Sequence, residues 1–343
     1  MKTLEQPLPR LKNALGASLK ALGYLEGSTP HEVVARRGPA RLRRYVPETP
    51  RADAVPALVI TPIINRYRVV DLQPDGSLVG SLLAAGIPVY VVDWGQPARI
   101  DQGTDWEDYV LGTLPRFARQ IGEHDTIGYC LGGTIAVIYA ATRPAGLRKL
   151  VTLAAPVDFH CGQPLMDLLG LWVQPEAFPV EKLTGAFGNM PHPLIAQGFV
   201  WQKPLAAANK LPSAWERFDD AAFADFWAVL ESWNNDGVDV PGAAYRRLIK
   251  DLYRDNLLAQ GRFLLRGRPV DLGRIDHPLL VVTAAGDTTC PPAAANALLG
   301  KVSSRQKEEL PLRGGHLTAI VGPKAVAGLH RPLAAWLLGE PGL

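Results

Sequence analysis

The 343 residues carry 36 basic and 33 acidic side chains, a net charge of +3, with 47% hydrophobic and 20% charged residues; this is an ordered globular chain, long enough for one large core or two domains, and too balanced in charge to point to nucleic acid. The three cysteines, Cys130, Cys161 and Cys290, are widely spaced without a C-x-x-C pair, which argues against a disulfide framework or a zinc site and for a reducing, cytoplasmic setting. The first seven residues lack a signal-peptide core, and no run approaches the roughly 18 apolar residues of a membrane span, so neither export nor transmembrane insertion is expected.

In chain order, Leu11, Leu15, Leu19 and Leu22 recur at helical spacing among lysines, predicting a short amphipathic helix over 11–25. The arginine-rich stretch from Pro30 to Val46 reads as a solvated strand or loop edge, the alternative being an anion site. Ala57–Ile60 and Val89–Val92 are short apolar runs bounded by Pro, Gly and Asp and separated by the helix-like stretch from Leu78 to Ala85, the pattern of a β-α-β unit with buried parallel strands. Val110 to Ile121 reads as the next helix. The residues leading into Thr126 and Ile127 make a third strand, Leu150–Leu153 another, and Leu279–Thr283 a late one. From 159 to 273 the chain changes to helical pieces rich in Trp, Phe and Pro, with Trp172, Trp201, Trp215, Trp227 and Trp233. This stretch is read as an insertion, either a lid over the site or an accessory layer with its own core, its tryptophans structural first. The division is then an N-terminal extension with edge elements (1–55), an α/β core (56–158 and 274–343) and an inserted lid or cap (159–273).

The chain is organised around Gly128-Tyr129-Cys130-Leu131-Gly132-Gly133. Small residues two before and two after a nucleophile are what a sharp strand-to-helix turn needs, and Cys130 occupies the nucleophile's place. The Leu131 amide, opening the next helix, would then stabilise an oxyanion, with a second donor from the loop after an early strand, the amide of Ile63 or Ile64. A buried cysteine in a Gly-containing turn would read the same way locally. What tips the balance is order: Asp287 directly after an apolar strand, then His316 in a Gly-Gly-His loop after a strand-like segment. The imidazole would take the thiol proton while the carboxylate fixes its tautomer and stabilises the imidazolium. Most of the other histidines, His31, His124, His160, His192, His277 and His330, are expected at surfaces or caps, and Cys290 at the turn into a helix announced by Pro291-Pro292. The fold class is α/β, of the α/β-hydrolase type: a mostly parallel sheet flanked by helices with an inserted helical lid. No HExxH, P-loop or dinucleotide fingerprint is present, so no metal and no cofactor are expected.

Several stretches together resemble the polyhydroxyalkanoate synthase family, specifically the short PhaC-type catalytic subunit of the two-component (class III) enzymes. They are Gly27 to Val34, Ile64-Asn65-Arg66, Val70 to Asp75, Val92-Asp93-Trp94-Gly95, the elbow itself, Leu153 to Phe159, Pro241-Gly242, Tyr245 to Asn256, Val270-Asp271-Leu272, Asp287, Gly314-Gly315-His316 and Val321 to Lys324. The elbow is also similar to that of dienelactone hydrolases, which are much shorter and carry their acid soon after the nucleophile. The resemblance implies a Cys130, Asp287, His316 triad, a 3-hydroxyacyl-CoA substrate and a growing polyester held as a Cys130 thioester. It also implies a PhaE-like second subunit, a homodimer and residence at the polyhydroxyalkanoate granule surface. Thr288 stands where the family has His after the acid, and Leu317-Thr318 where it has Ile-Gly after the histidine. Two alternatives stay open at this point: a non-polymerising thioesterase or acyltransferase, and an inactive granule-binding subunit.

Overall fold

Short strands that are apolar on both faces can be satisfied only between two layers of helix. In the computed structural model, which describes residues 7–161, 179–202 and 204–340, those strands form an eight-stranded sheet. Its strands are β1 (Glu32–Arg37), β2 (Ala40–Tyr45), β3 (Ala57–Ile60), β4 (Val89–Asp93), β5 (His124–Tyr129), β6 (Leu147–Leu153), β7 (Leu279–Ala284) and β8 (Lys307–Leu312), in the order β1-β2-β4-β3-β5-β6-β7-β8. Strands β3 to β8 are mutually parallel, and β1 and β2 add an antiparallel edge. The period of two sorts the side chains: Leu58 and Ile60 join one core with Leu114, Phe117 and Ile135, while Val59 and Ile127 join the other with Leu82 and Trp336. The covering helices are α1 (Pro7–Leu22), α2 (Leu78–Ala84), α3 (Leu114–Ile121), α4 (Leu131–Ala141) and, at the far end of the chain, α11 (Arg331–Leu338). Helix α4 has every residue buried, the signature of a central helix rather than an amphipathic one.

Between β6 and β7 the described chain is largely helical: α5 (Val180–Phe187), α6 (His192–Gln202), α7 (Pro204–Trp215), α8 (Ala221–Asn235) and α9 (Gly242–Arg247), followed by α10 (Pro292–Asn296) after β7. Trp172 lies outside the described residues. Helix α1 lies against α8 through small residues, with Ala17 meeting Ala214, Phe218 and Ala224. No helix among the described residues is long and apolar enough to cross a membrane.

Two of the stretches that carry the family resemblance hold the fold together. Asp71, fully buried, accepts hydrogen bonds from the Ser28 and Thr29 amides (3.1 and 2.9 Å) and from the hydroxyls of Ser28, Thr29 and Ser77 (2.7, 2.8 and 2.6 Å). Those five donors satisfy a carboxylate that would otherwise be prohibitively costly to bury, and they fasten the N-terminal segment to the core. The second is Asp93, which takes Arg43 through Nε and Nη2 at 3.1 and 2.9 Å and caps the Gly95 amide at 3.0 Å. Arg43 is only 5% exposed, which corrects the expectation that its stretch is wholly solvated. Its guanidinium also lies 3.9 Å from the Tyr67 ring centroid, so stacking and pairing together offset its desolvation. His124 and His330 are exceptions among the histidines: both are fully buried, and His330 sits between Ser81 Oγ (2.9 Å) and the Ile320 carbonyl (2.8 Å).

Asp125 is buried on β5, where no side chain among the described residues hydrogen-bonds its carboxylate. Burial raises its pKa to about 6, against the opposing pull of Lys149 and Arg148. A carboxyl that stays protonated longer when folded makes the native state less stable as pH rises from about 4 to about 6, beyond which the loss is complete. Asp125→Asn removes the titration, so its melting temperature should exceed that of the parent chain at pH 7 and converge with it below pH 4. The difference is about 3 kcal/mol, and equal stabilities at pH 7 would contradict the burial account.

Candidate active site

The elbow is built by steric exclusion. Cys130 adopts φ 53° and ψ −128°, a conformation that costs a non-glycine residue about 1–3 kcal/mol and persists only where its surroundings impose it. They do: a Cβ on Gly128 would collide with the Gly133 backbone, one on Gly132 with the backbone of Ile60 and Thr61, and one on Gly133 with Ala155. The Cys130 amide is spent on the Leu153 carbonyl at 2.9 Å. Its side chain is therefore delivered to the carboxyl edge of the sheet at the N-terminus of α4, where the Gly133 amide turns back to the Cys130 carbonyl at 2.8 Å and the Leu131 and Gly132 amides precede the first intrahelical bond.

The ends of β7 and β8 deliver the other two groups. Ala285 and Gly286 donate to the carbonyls of Leu312 and Gly314 (2.9 and 2.8 Å), tying the acid loop to the histidine loop. Gly314 has φ 115°, open to glycine alone, and the Gly315 amide donates to Thr318 Oγ1 at 3.2 Å. His316 Nδ1 then donates to Asp287 Oδ2 at 2.6 Å, and the same ring is hydrogen-bonded to Cys130. Asp287 Oδ1 accepts the Thr289 and Cys290 amides, both at 2.8 Å. With its side chain fully buried, Asp287 has one oxygen on His316 and the other on two backbone amides. The structure thus brings Cys130, His316 and Asp287 into one hydrogen-bonded chain.

Burial alone would lower the His316 pKa. The charge on Cys130, the hydrogen bonds to Asp287 and Cys130, and the Asp287 charge outweigh it and push it up to about 10. Tyr129, which precedes the nucleophile and is 1% exposed, stacks on the His316 ring with centroids 5.4 Å apart and planes 27° from parallel, and its hydroxyl donates to the His316 carbonyl at 3.4 Å. Sequence reasoning missed this platform. A tyrosine next to the nucleophile was visible, but its contact with the loop after β8 exists only in the fold.

Cys130 and His316 open on a cavity of about 690 Å³ whose apolar wall includes Ile64, Ile195, Leu230 and Trp233. Of the two candidates in the loop after β3, Ile64 lines this cavity, whereas Ile63 faces a separate pocket of about 150 Å³ beside Trp94 and Tyr109. The start of that loop is fixed from the core. Thr61 Oγ1 donates to the Val92 carbonyl (2.7 Å), and Trp94 Nε1 to the Thr61 carbonyl (2.8 Å).

Two family models match the chain, the N-terminus of poly-beta-hydroxybutyrate polymerase (PhaC) over residues 17–82 and an alpha/beta hydrolase family over residues 69–329. The poly(3-hydroxyalkanoate) polymerase subunit PhaC of Allochromatium vinosum is 33% identical over 320 residues, covering 91% of this chain and 89% of that protein. The chain belongs to the PhaC family. The corresponding PhaC subunit of Synechocystis is 31% identical and matched over 85% of its length. That of Haloferax mediterranei is 33% identical, but the match spans only 64% of it. Among solved structures, a monoacylglycerol lipase of Paleococcus ferrophilus superposes with a TM-score of 0.52 at 16% identity, covering 87% of this chain and 98% of the lipase; that likeness concerns the α/β-hydrolase fold alone. The stretches that resemble the PhaC family serve different ends in this chain. Asp71 and Asp93 secure the scaffold, Trp94 fixes the loop after β3, and the elbow brings Cys130 to His316 and Asp287. Asn256, from the Tyr245 to Asn256 stretch, bridges the Phe159 amide (3.0 Å) and Asp158 (2.8 Å) and so holds the chain leaving the core.

Proposed function

We propose that this PhaC-family chain polymerises 3-hydroxyacyl units from their coenzyme A thioesters through a covalent thioester on Cys130. The observation that carries the reading is the continuous Asp287, His316, Cys130 hydrogen-bond chain opening on a largely apolar cavity. The Cys130 thiolate attacks the thioester carbonyl, and the oxyanion accepts hydrogen bonds from the Leu131 and Ile64 amides. Collapse breaks the bond to coenzyme A, whose sulfur leaves with the proton of His316. The hydroxyl of a second unit then attacks the Cys130 thioester. Its proton goes to the now neutral His316, the C–S bond breaks, and the thiolate returns. Exchange between thioesters is nearly thermoneutral, which suits a sulfur nucleophile, and His316 serves both half-reactions while Asp287 only orients and charges it.

The inserted helices supply the cavity's apolar wall and keep water from the acyl-enzyme, the lid function this reading gives them. A PhaE-like second subunit, a homodimer and residence at the granule surface belong to the same proposal. Helix α1 supports it: packed through its alanines, it leaves Leu8, Leu11, Leu15, Leu19 and Leu22 exposed by 48% or more. Incubated with 3-hydroxybutyryl-CoA, the purified chain, alone or with the second subunit, should release coenzyme A and form an insoluble polyester. Free 3-hydroxybutyrate as the sole product would overturn polymerisation in favour of a thioesterase.

A further inference from the structure

We propose that Arg66 and Trp233 are positioning residues for acyl transfer, holding from the inserted helices the loop that carries Ile64, whose amide the reading above takes as the second oxyanion donor. The inference rests on the polymerase reading above. The core fixes the start of the loop through Thr61 and Trp94 and packs the Ile63 and Ile64 side chains. Past Pro62 the polar contacts come from the end of α8 and the residues after it. Trp233 Nε1 donates to the Arg66 carbonyl at 3.1 Å, Arg66 Nε donates to Asp236 Oδ1 at 3.2 Å, and Asn65 forms an isolated antiparallel bridge with Gly237. The Val238 amide points at the Ile64 carbonyl at 3.5 Å. The fully buried Arg68 reaches the same Asp236 at 3.5 Å, anchoring the far end of the loop.

An oxyanion donor is effective because it is already in place when charge develops, and a displacement of about 1 Å can cost on the order of 100-fold in rate. Here the second donor sits between a core-held Thr61 and an insertion-held Arg66. The indole that makes the second attachment also lines the cavity, so whatever fills the cavity touches the residue that steadies the donor. The α/β core thus supplies the triad, and the insertion completes the oxyanion site.

The test separates a reaction that forms an oxyanion from one that does not. Arg66→Ala removes the ion pair without touching the cavity wall, and Trp233→Phe removes the indole N–H. Alkylation of Cys130 by iodoacetamide passes through no oxyanion and should proceed in both variants at a rate close to the parent's. Single-turnover release of coenzyme A from 3-hydroxybutyryl-CoA should slow by about 10-fold or more in each. Buried Cys290 reports folding, since it stays unlabelled only in the native state. Coenzyme A release by folded Arg66→Ala at the parent rate would overturn the inference; if that variant labels at Cys290, the same result from Trp233→Phe decides. A parent chain that alkylates but releases no coenzyme A would instead overturn the polymerase reading.

Discussion

Cys130→Ala should lower coenzyme A release from 3-hydroxybutyryl-CoA by at least about 10⁴-fold, because the covalent route disappears while the cavity and amide donors remain. The elbow itself should survive. Its geometry is imposed by Gly128, Gly132 and Gly133, whose close contacts do not involve the sulfur, and alanine meets the same φ of 53° that cysteine does. The variant also carries a spectroscopic consequence. Burial lowers the His316 pKa and the charge on Cys130 is the largest influence raising it, so removing the sulfur should bring the pKa down from about 10. An NMR titration of the His316 ring in parent and variant measures this directly. A ring that titrates identically in both would mean that the two groups do not form an ion pair.

Asp287→Asn should cost about 10⁴-fold in the same assay while leaving the fold intact. The argument turns on which end of the amide faces the histidine. Asp287 Oδ1 accepts two backbone amides at 2.8 Å, so an asparagine must keep its oxygen there and turn its NH₂ toward His316 Nδ1. That nitrogen then becomes an acceptor, the proton moves to the nitrogen facing Cys130, and the ring can no longer take a proton from the thiol. The loop keeps its hydrogen bonds, so thermal stability should fall much less than activity. Near-parental turnover in Asp287→Asn would show that the carboxylate does not set the tautomer.

The contrast between these residues explains what was legible in the chain. Cys130 could be found because a strand-to-helix elbow has a local steric requirement that only small residues meet, and that requirement is written within six positions. The buried parallel strands were legible for a similar reason, since short apolar runs between turn residues have few other stable homes. Asp287 and His316 could be placed at strand ends from their flanking runs, but their hydrogen bonds could not. The choice between Ile63 and Ile64 was unreadable, as adjacent residues in a loop face different pockets and no periodicity says which. Arg43 was read as solvated because its stretch is rich in arginine; its burial depends on Asp93 and Tyr67, distant in sequence. His124 and His330 carry no local signal at all, because a lone imidazole looks the same whether a cap or a core receives it.

The central claim concerns one sulfur, and mass analysis tests it most directly. The folded chain, mixed briefly with 3-hydroxybutyryl-CoA and quenched in acid, should carry a hydroxylamine-labile acyl adduct on the peptide containing Cys130, with none on those containing Cys161 or Cys290. Coenzyme A release with Cys130 unmodified throughout, or with the adduct on either other cysteine, would contradict the account.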